Sequence, residues 1–138
     1  MMRLFFLTLA LLAAFPLTAR AAVDIFPFRC SGRQYKIAVS GTASAAQSLP
    51  EVTTLWGSLI PPAARVEPDG TDIVVKFGDA SVVADATATA NKLGVGNFHA
   101  QNGVVELFSM QNSDTYVSVI SSDEVSTGTV WICIGRGN

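Results

Sequence analysis

One histidine, two cysteines and a charged fraction of 14% leave this 138-residue sequence little with which to do chemistry. His99 and the widely separated Cys30 and Cys133 do not make a tetrahedral zinc set, whose ligands come at short, recognisable spacings. As a general base His99 would need a nucleophile and an orienting carboxylate within hydrogen-bond reach, and no Gly-x-Ser-x-Gly elbow or other local nucleophile motif accompanies it. Asp69, Asp72 and Asp79 follow no EF-hand spacing, and turn formation with strand-end solubility accounts for them. The basic residues beyond the first 21 positions, Arg29, Arg33, Lys36, Arg65, Lys76, Lys92 and Arg136, form no stripe able to neutralise phosphates, which argues against a nucleic-acid partner. The expectation is a protein without catalysis, cofactor or metal.

What is present begins with an address. Arg3 supplies a positive start, residues 4–17 form an apolar run of fourteen, and Ala19 and Ala21 place small side chains at minus three and minus one before Ala22. Such a run falls short of the roughly 20 apolar residues that a spanning helix needs, so it reads as a cleavable signal peptide over residues 1–21. No cysteine follows closely enough to suggest a lipoprotein. The remaining 117 residues suit one domain with one core, at residues 22–138. Loss of Arg3 and Arg20 leaves seven basic against eleven acidic side chains, a formal net charge of −4. Contact with a membrane is expected only through the signal segment, and the expected location is periplasmic or extracellular.

An even cysteine count in an exported chain points to a disulfide between Cys30 and Cys133. In the chain-entropy view, closing a loop of about 100 residues stabilises a fold by roughly 4 to 5 kcal/mol. Two buried free thiols, serving as small apolar residues, are the alternative.

Beyond the signal the pattern has period two, and helical periodicity is hard to find. Residues 23–29, interrupted by Pro27, suit an edge strand. In residues 33–40 Tyr35, Ile37 and Val39 share one face, with Gln34, Lys36 and Ala38 on the other. Residues 41–64 read as a long connection with a helical turn near 43–47 and a short strand near 52–56, punctuated by Pro50, Gly57 and Pro61-Pro62. A strand at 63–67, a turn at Pro68-Asp69-Gly70 and a second arm at 72–77 predict a hairpin, with a further short strand at 81–84. Residues 85–101 resemble a surface excursion more than a core element, with a short helix predicted at 86–93. Strands at 104–110, 115–121 and 129–134 complete an all-β, antiparallel β-sandwich or small barrel.

Two side chains stand out as candidate binding residues. Trp56, between prolines, is the aromatic expected to be exposed; it either contacts a partner or pins its loop to the core. Glu106, on a strand between Val105 and Leu107, either discourages sheet addition or contacts a partner subunit. Arg136, between two glycines, reads as a frayed basic tail.

Arg65-Val66, a turn at Asp69-Gly70 and then Val75-Lys76-Phe77-Gly78-Asp79-Ala80-Ser81-Val82 resemble the "RV…GT…V.FG.S.V" run of small head- or tail-associated accessory proteins of tailed bacteriophages and prophages. Gly103-Val104-Val105-Glu106-Leu107-Phe108 is similar to that family's "G.VEVF" strand, and Tyr116-Val117-Ser118-Val119-Ile120-Ser121 to its "THVAAIS" strand. Gly128-Thr129-Val130-Trp131-Ile132 with Gly135-Arg136-Gly137 is similar to its "GTATLYVT.GEG" terminus. The resemblance covers residues 33–138 and implies a compact sandwich that binds other virion proteins and catalyses nothing. Self-association is in keeping with it, since symmetric assemblies are common. The alternative is an exported host module that binds a peptide, glycan or small ligand through the loops at 41–64 and 85–101.

Overall fold

The computed structural model describes residues 27–57, 60–87 and 97–136. Residues 1–26, which include the signal-peptide reading and most of the first expected strand, lie outside them, as does most of the helix expected at 86–93. Eight strands and one short helix follow in order: β1 (Arg29–Val39), β2 (Gln47–Ser48), α1 (Pro50–Leu55), β3 (Ala63–Asp69), β4 (Ile73–Gly78), β5 (Asn97–Ala100), β6 (Glu106–Ser109), β7 (Tyr116–Ser121) and β8 (Gly128–Arg136).

The strands form two four-stranded antiparallel sheets, β1-β8-β3-β6 (sheet A) and β2-β7-β4-β5 (sheet B), and no barrel closes. First pairs with last, second with seventh, third with sixth and fourth with fifth. The chain is therefore one long hairpin folded over on itself, the wiring of a jelly roll. Period-two patterning supplies the core. Tyr35 and Val39 from β1, Ala64 and Val66 from β3, and Val130, Ile132 and Ile134 from β8 meet Ile73, Val75 and Phe77 of β4 and Val117 and Val119 of β7.

The two outer faces differ. On sheet B, Val74 and Ile120 point away from the main core, yet they are buried in a second cluster with Ala84, against which Ala43 and Ala86 pack. The segment after β4 thus lies across this face as a strap. Ser118 Oγ ties it down by accepting from Ala84 N at 3.1 Å and donating to Ser44 O at 2.9 Å. Burial on both faces explains the unbroken Ile73-Val74-Val75 run, since strands covered on two sides lose their alternation. Residues 81–84 are strap and not the expected strand. Sheet A carries Lys36, Arg65, Glu67, Trp131 and Leu107 on its outer side, opposite the core-facing residues of the same strands.

Other expectations are corrected. Residues 63–67 and 72–77 are strands, but not a hairpin: both long edges of β3 are taken by β8 and β6, so β4 crosses to the other sheet. Gly70, at φ 96°, makes that crossing, and its N–H donates to Asn102 Oδ1 at 2.9 Å. The strand expected at 52–56 is α1. Pro50 opens it with a preset φ, and Glu51 suits the positive end of a first turn. Val52 and Leu55, three apart, both turn toward the core. Residues near 43–47 run extended along β7, with Ser44 N donating to Val119 O at 2.8 Å, and Gln47–Ser48 forms β2. The excursion at 85–101 ends in β5, which pairs with β4.

Gly135 leaves no room for a side chain against the start of β1. A Cβ there would lie 1.9 Å from Arg29 O and 2.9 Å from Phe28 Cζ, so Gly135→Ala must push the start of β1 off the sheet. The expected loss is about 1–3 kcal/mol by urea denaturation, the cost of overpacking a fitted site.

Candidate functional site

The Cys30–Cys133 disulfide is formed, with Sγ atoms 2.03 Å and Cα atoms 5.7 Å apart across 103 residues. It depends on an irregularity in β1: the register slips between Cys30 and Gln34, where Gly32 sits at φ 116°. Gln34 lies opposite Cys133 and Cys30 opposite Gly135, so the slip brings Cys30 diagonally over Cys133 on the outer side of sheet A. Ser31 Oγ fastens the same segment by donating to Ile134 O at 2.8 Å. Cys133 is 2% exposed although it points away from the core.

Beside the disulfide the outer face of sheet A is open. Lys36 Nζ lies 5.0 Å from the Trp131 ring centroid, and Arg65 donates to Glu67 at 3.0 Å. Both are half-exposed contacts of modest worth. A groove of about 380 Å³ runs between Phe28 and Cys30 on one side and Val105 and Leu107 on the other, with Arg65 between them. Glu106 begins β6, opposite Val66, and its Oε1 accepts from Gln101 N at 3.3 Å. Its carboxylate is therefore turned toward its own chain, on the side of the sheet away from Leu107.

Trp56 follows α1 in an extended conformation and is 41% exposed, as expected. The structure does not bring Trp56 and Glu106 to one place: α1 packs at the 135–136 end of β8, whereas Glu106 lies along β3. At the α1 end a cavity of about 500 Å³ is lined by Pro27, Arg29, Leu55, Ile60 and Arg136. Arg136 is not a frayed tail. It pairs with Arg29 in the sheet, and its Nη2 donates to Leu55 O at 2.6 Å. Its Nε–H is buried without a partner among the described residues.

His99 is exposed on β5, opposite Val74. Asp72 Oδ1 accepts from Asn102 N at 2.8 Å, and Asp79 Oδ1 from Ser81 N at 2.8 Å. Among the described residues, no three His, Cys, Asp or Glu side chains cluster to hold a metal.

Sequence reasoning missed the contact of Tyr35 with Glu51, which links β1 to α1: the buried phenol donates to the carboxylate, with Arg33 over its ring. Burial first, then the Glu51 hydrogen bond and charge, push Tyr35 up to about 12 from its ordinary 10, while Arg33 opposes them. A raised phenol favours the fold in its neutral form. Its stabilisation is full below pH 10 and is lost as pH rises toward 12. Alkaline unfolding monitored by tyrosine absorbance should show this loss, and Tyr35→Phe should remove that part of the pH dependence.

No family model matches the chain, and no curated protein matches it. A solved structure from work on Bacillus endospore appendages, described as a novel family of disulfide-linked pili, aligns at 16% identity with a TM-score of 0.40. The alignment covers 82% of this chain and 92% of that one. A likeness this distant carries no function across.

Proposed function

We propose that the chain is an exported, disulfide-closed docking subunit that acts by binding proteins and catalyses no reaction. The observation that carries this reading is the contrast between its two outer faces. Sheet B is covered by the chain's own strap, whereas sheet A leaves Val105 and Leu107 in the open beside the disulfide. Bare aliphatics grouped on one side of a sheet are what a binding surface requires and what an isolated domain avoids. The disulfide supports export, because such bonds persist in oxidising compartments. A head- or tail-associated subunit of a phage or prophage is the specific form, resting on the motif run that starts in β3 and continues through β4 into the strap. Intact mass of the protein from cell fractions and separated virions tests it. A chain starting at Ala22, about two hydrogens lighter than its reduced form and present in particles, is the expected result. A full-length reduced chain in the cytoplasm would overturn export.

A second reading rests on the cavity at the α1 end. Its size falls in the range of small-ligand pockets, and a guanidinium whose Nε–H has no partner among the described residues suits a carboxylate attached to an apolar body. Octanoate titrated by calorimetry should then bind, and Arg136→Gln should weaken binding at least tenfold. No heat with the wild type rejects this reading.

A further inference from the structure

Four strands lie at sheet edges, and they are unequal as sites for adding another strand. The bulge of β1 breaks its ladder, with Arg33 and Lys36 exposed along it, and β2 has two residues. On its outer side β5 offers Asn97 and His99. Charge, bulges and brevity are the usual protections of an edge. The β6 edge has four residues, entered from a turn at Asn102 and Gly103, and it carries no lysine, proline or bulge. Val104, Val105 and Leu107 are 42%, 44% and 45% exposed, a concentration of bare aliphatics within four residues. The one acid in the stretch, Glu106, is tied back to Gln101 N and faces away from Leu107. On the outer side, the apolar surface continues across the groove to Phe28 and Cys30.

We propose that the β6 edge joins two copies of this chain, antiparallel across a two-fold axis, so that sheet A continues as one eight-stranded sheet. This rests on the docking reading above and names the partner. Side chains directly opposite in an antiparallel pair share a face, so a two-fold register is centred on one residue. Centring on Glu106 would oppose two carboxylates. Centring on Leu107 sets leucine on leucine, Glu106 opposite Phe108 and Val105 opposite Ser109, with no like charges in direct opposition. Centres at Val105 or Phe108 also keep the carboxylates apart, but the Leu107 centre lays the exposed leucine on its own copy across the outer face. Arg65, the basic side chain that lines the groove, is already paired with Glu67, which leaves it less to offer an acidic peptide. So short an edge falls below the roughly 1,200 Å² of a standard interface, so the dimer forms reversibly as concentration rises.

Sedimentation velocity of the oxidised mature chain over a concentration series tests the seam. Wild type should pass from monomer to dimer. Leu107→Lys should stay monomeric at every concentration with an unchanged melting temperature, while Val125→Lys, at a residue 80% exposed elsewhere, should still dimerise. Under oxidation, Leu107→Cys should give a dimer whose peptide map links 107 to 107, and Val105→Cys should give no 105–105 link. A wild type monomeric throughout, a Leu107→Lys variant that dimerises, or dominant 105–105 links would each overturn the proposal. Such a failure is separate from failure of the docking reading, because the mass and fractionation measurements do not depend on the seam.

Discussion

Cys30→Ala with Cys133→Ala lowers stability by about 4–5 kcal/mol, the entropy released to the unfolded chain when a loop of some 100 residues is no longer closed. Alanine is the right replacement because Cys133 is 2% exposed and serine would bury an extra hydroxyl there. The loss is a large share of the roughly 5–15 kcal/mol that holds a domain folded, and it corresponds to a fall in Tm of about 15 °C. It should also be unevenly distributed. Without the bond, the segment from Pro27 to Arg33 is held among the described residues by Ser31 Oγ on Ile134 O, by two ladder pairs, Arg29 with Arg136 and Cys30 with Gly135, and by Arg33 over the Tyr35 ring. Trypsin should cut first after Arg29 or Arg33 in the reduced protein and leave the oxidised one intact there. A drop in Tm of under 3 °C, with unchanged cleavage, would mean that the ladder alone fastens β1.

Phe77→Ala costs about 3–5 kcal/mol, as expected for a buried aromatic whose neighbours cannot close the space it leaves. Phe77 belongs to sheet B, where its ring centroid lies 6.4 Å from that of Phe98. Phe108 arrives from sheet A, 6.3 Å from Phe77 and 4.9 Å from Phe98. The three rings close the sandwich between the free edges β5 and β6, where backbone pairing cannot hold the sheets together. Urea denaturation should show a lower midpoint with an unchanged m-value. Phe98→Ala, at a half-buried ring, should cost less. Equal losses at the two positions would contradict a cluster anchored on Phe77.

Strands with one buried face were legible as strands. Tyr35, Ile37 and Val39, like Val130, Ile132 and Ile134, alternate because one side meets the core and the other does not, and this pattern survives without knowledge of the partner. The cysteine pair was legible for a different reason: two residues allow one pairing. What was hidden depends on distant neighbours. The Pro-Asp-Gly turn has the chemistry of a hairpin, yet it crosses between sheets because β8 and β6 already flank β3, which no local pattern records. The strap over Val74 and Ile120 lacks a signature because it is held by Ser118 and Ser44, hydroxyls that look like surface residues in sequence. In α1, Pro50 and Glu51 were readable start signals outweighed by the β-branched Val52, Thr53 and Thr54. At the candidate site, the exposure of Trp56 was visible in its setting between prolines. Glu106 gave no sign that its carboxylate turns back to Gln101, since that contact depends on the bend between them.

Pairing the first strand with the last also has a consequence in time. If the chain crosses a membrane from its N-terminus, Cys30 emerges first and its partner follows 103 residues later. At a synthesis rate of about 5–20 residues per second, the wait is roughly 5–20 s. Throughout it β1 has no neighbour and Cys30 remains a reduced thiol, open to mixed disulfides and to whatever oxidant or chaperone the compartment supplies. One segment brings the partner strand and the partner sulfur together, so the bond can close only after β8 has crossed.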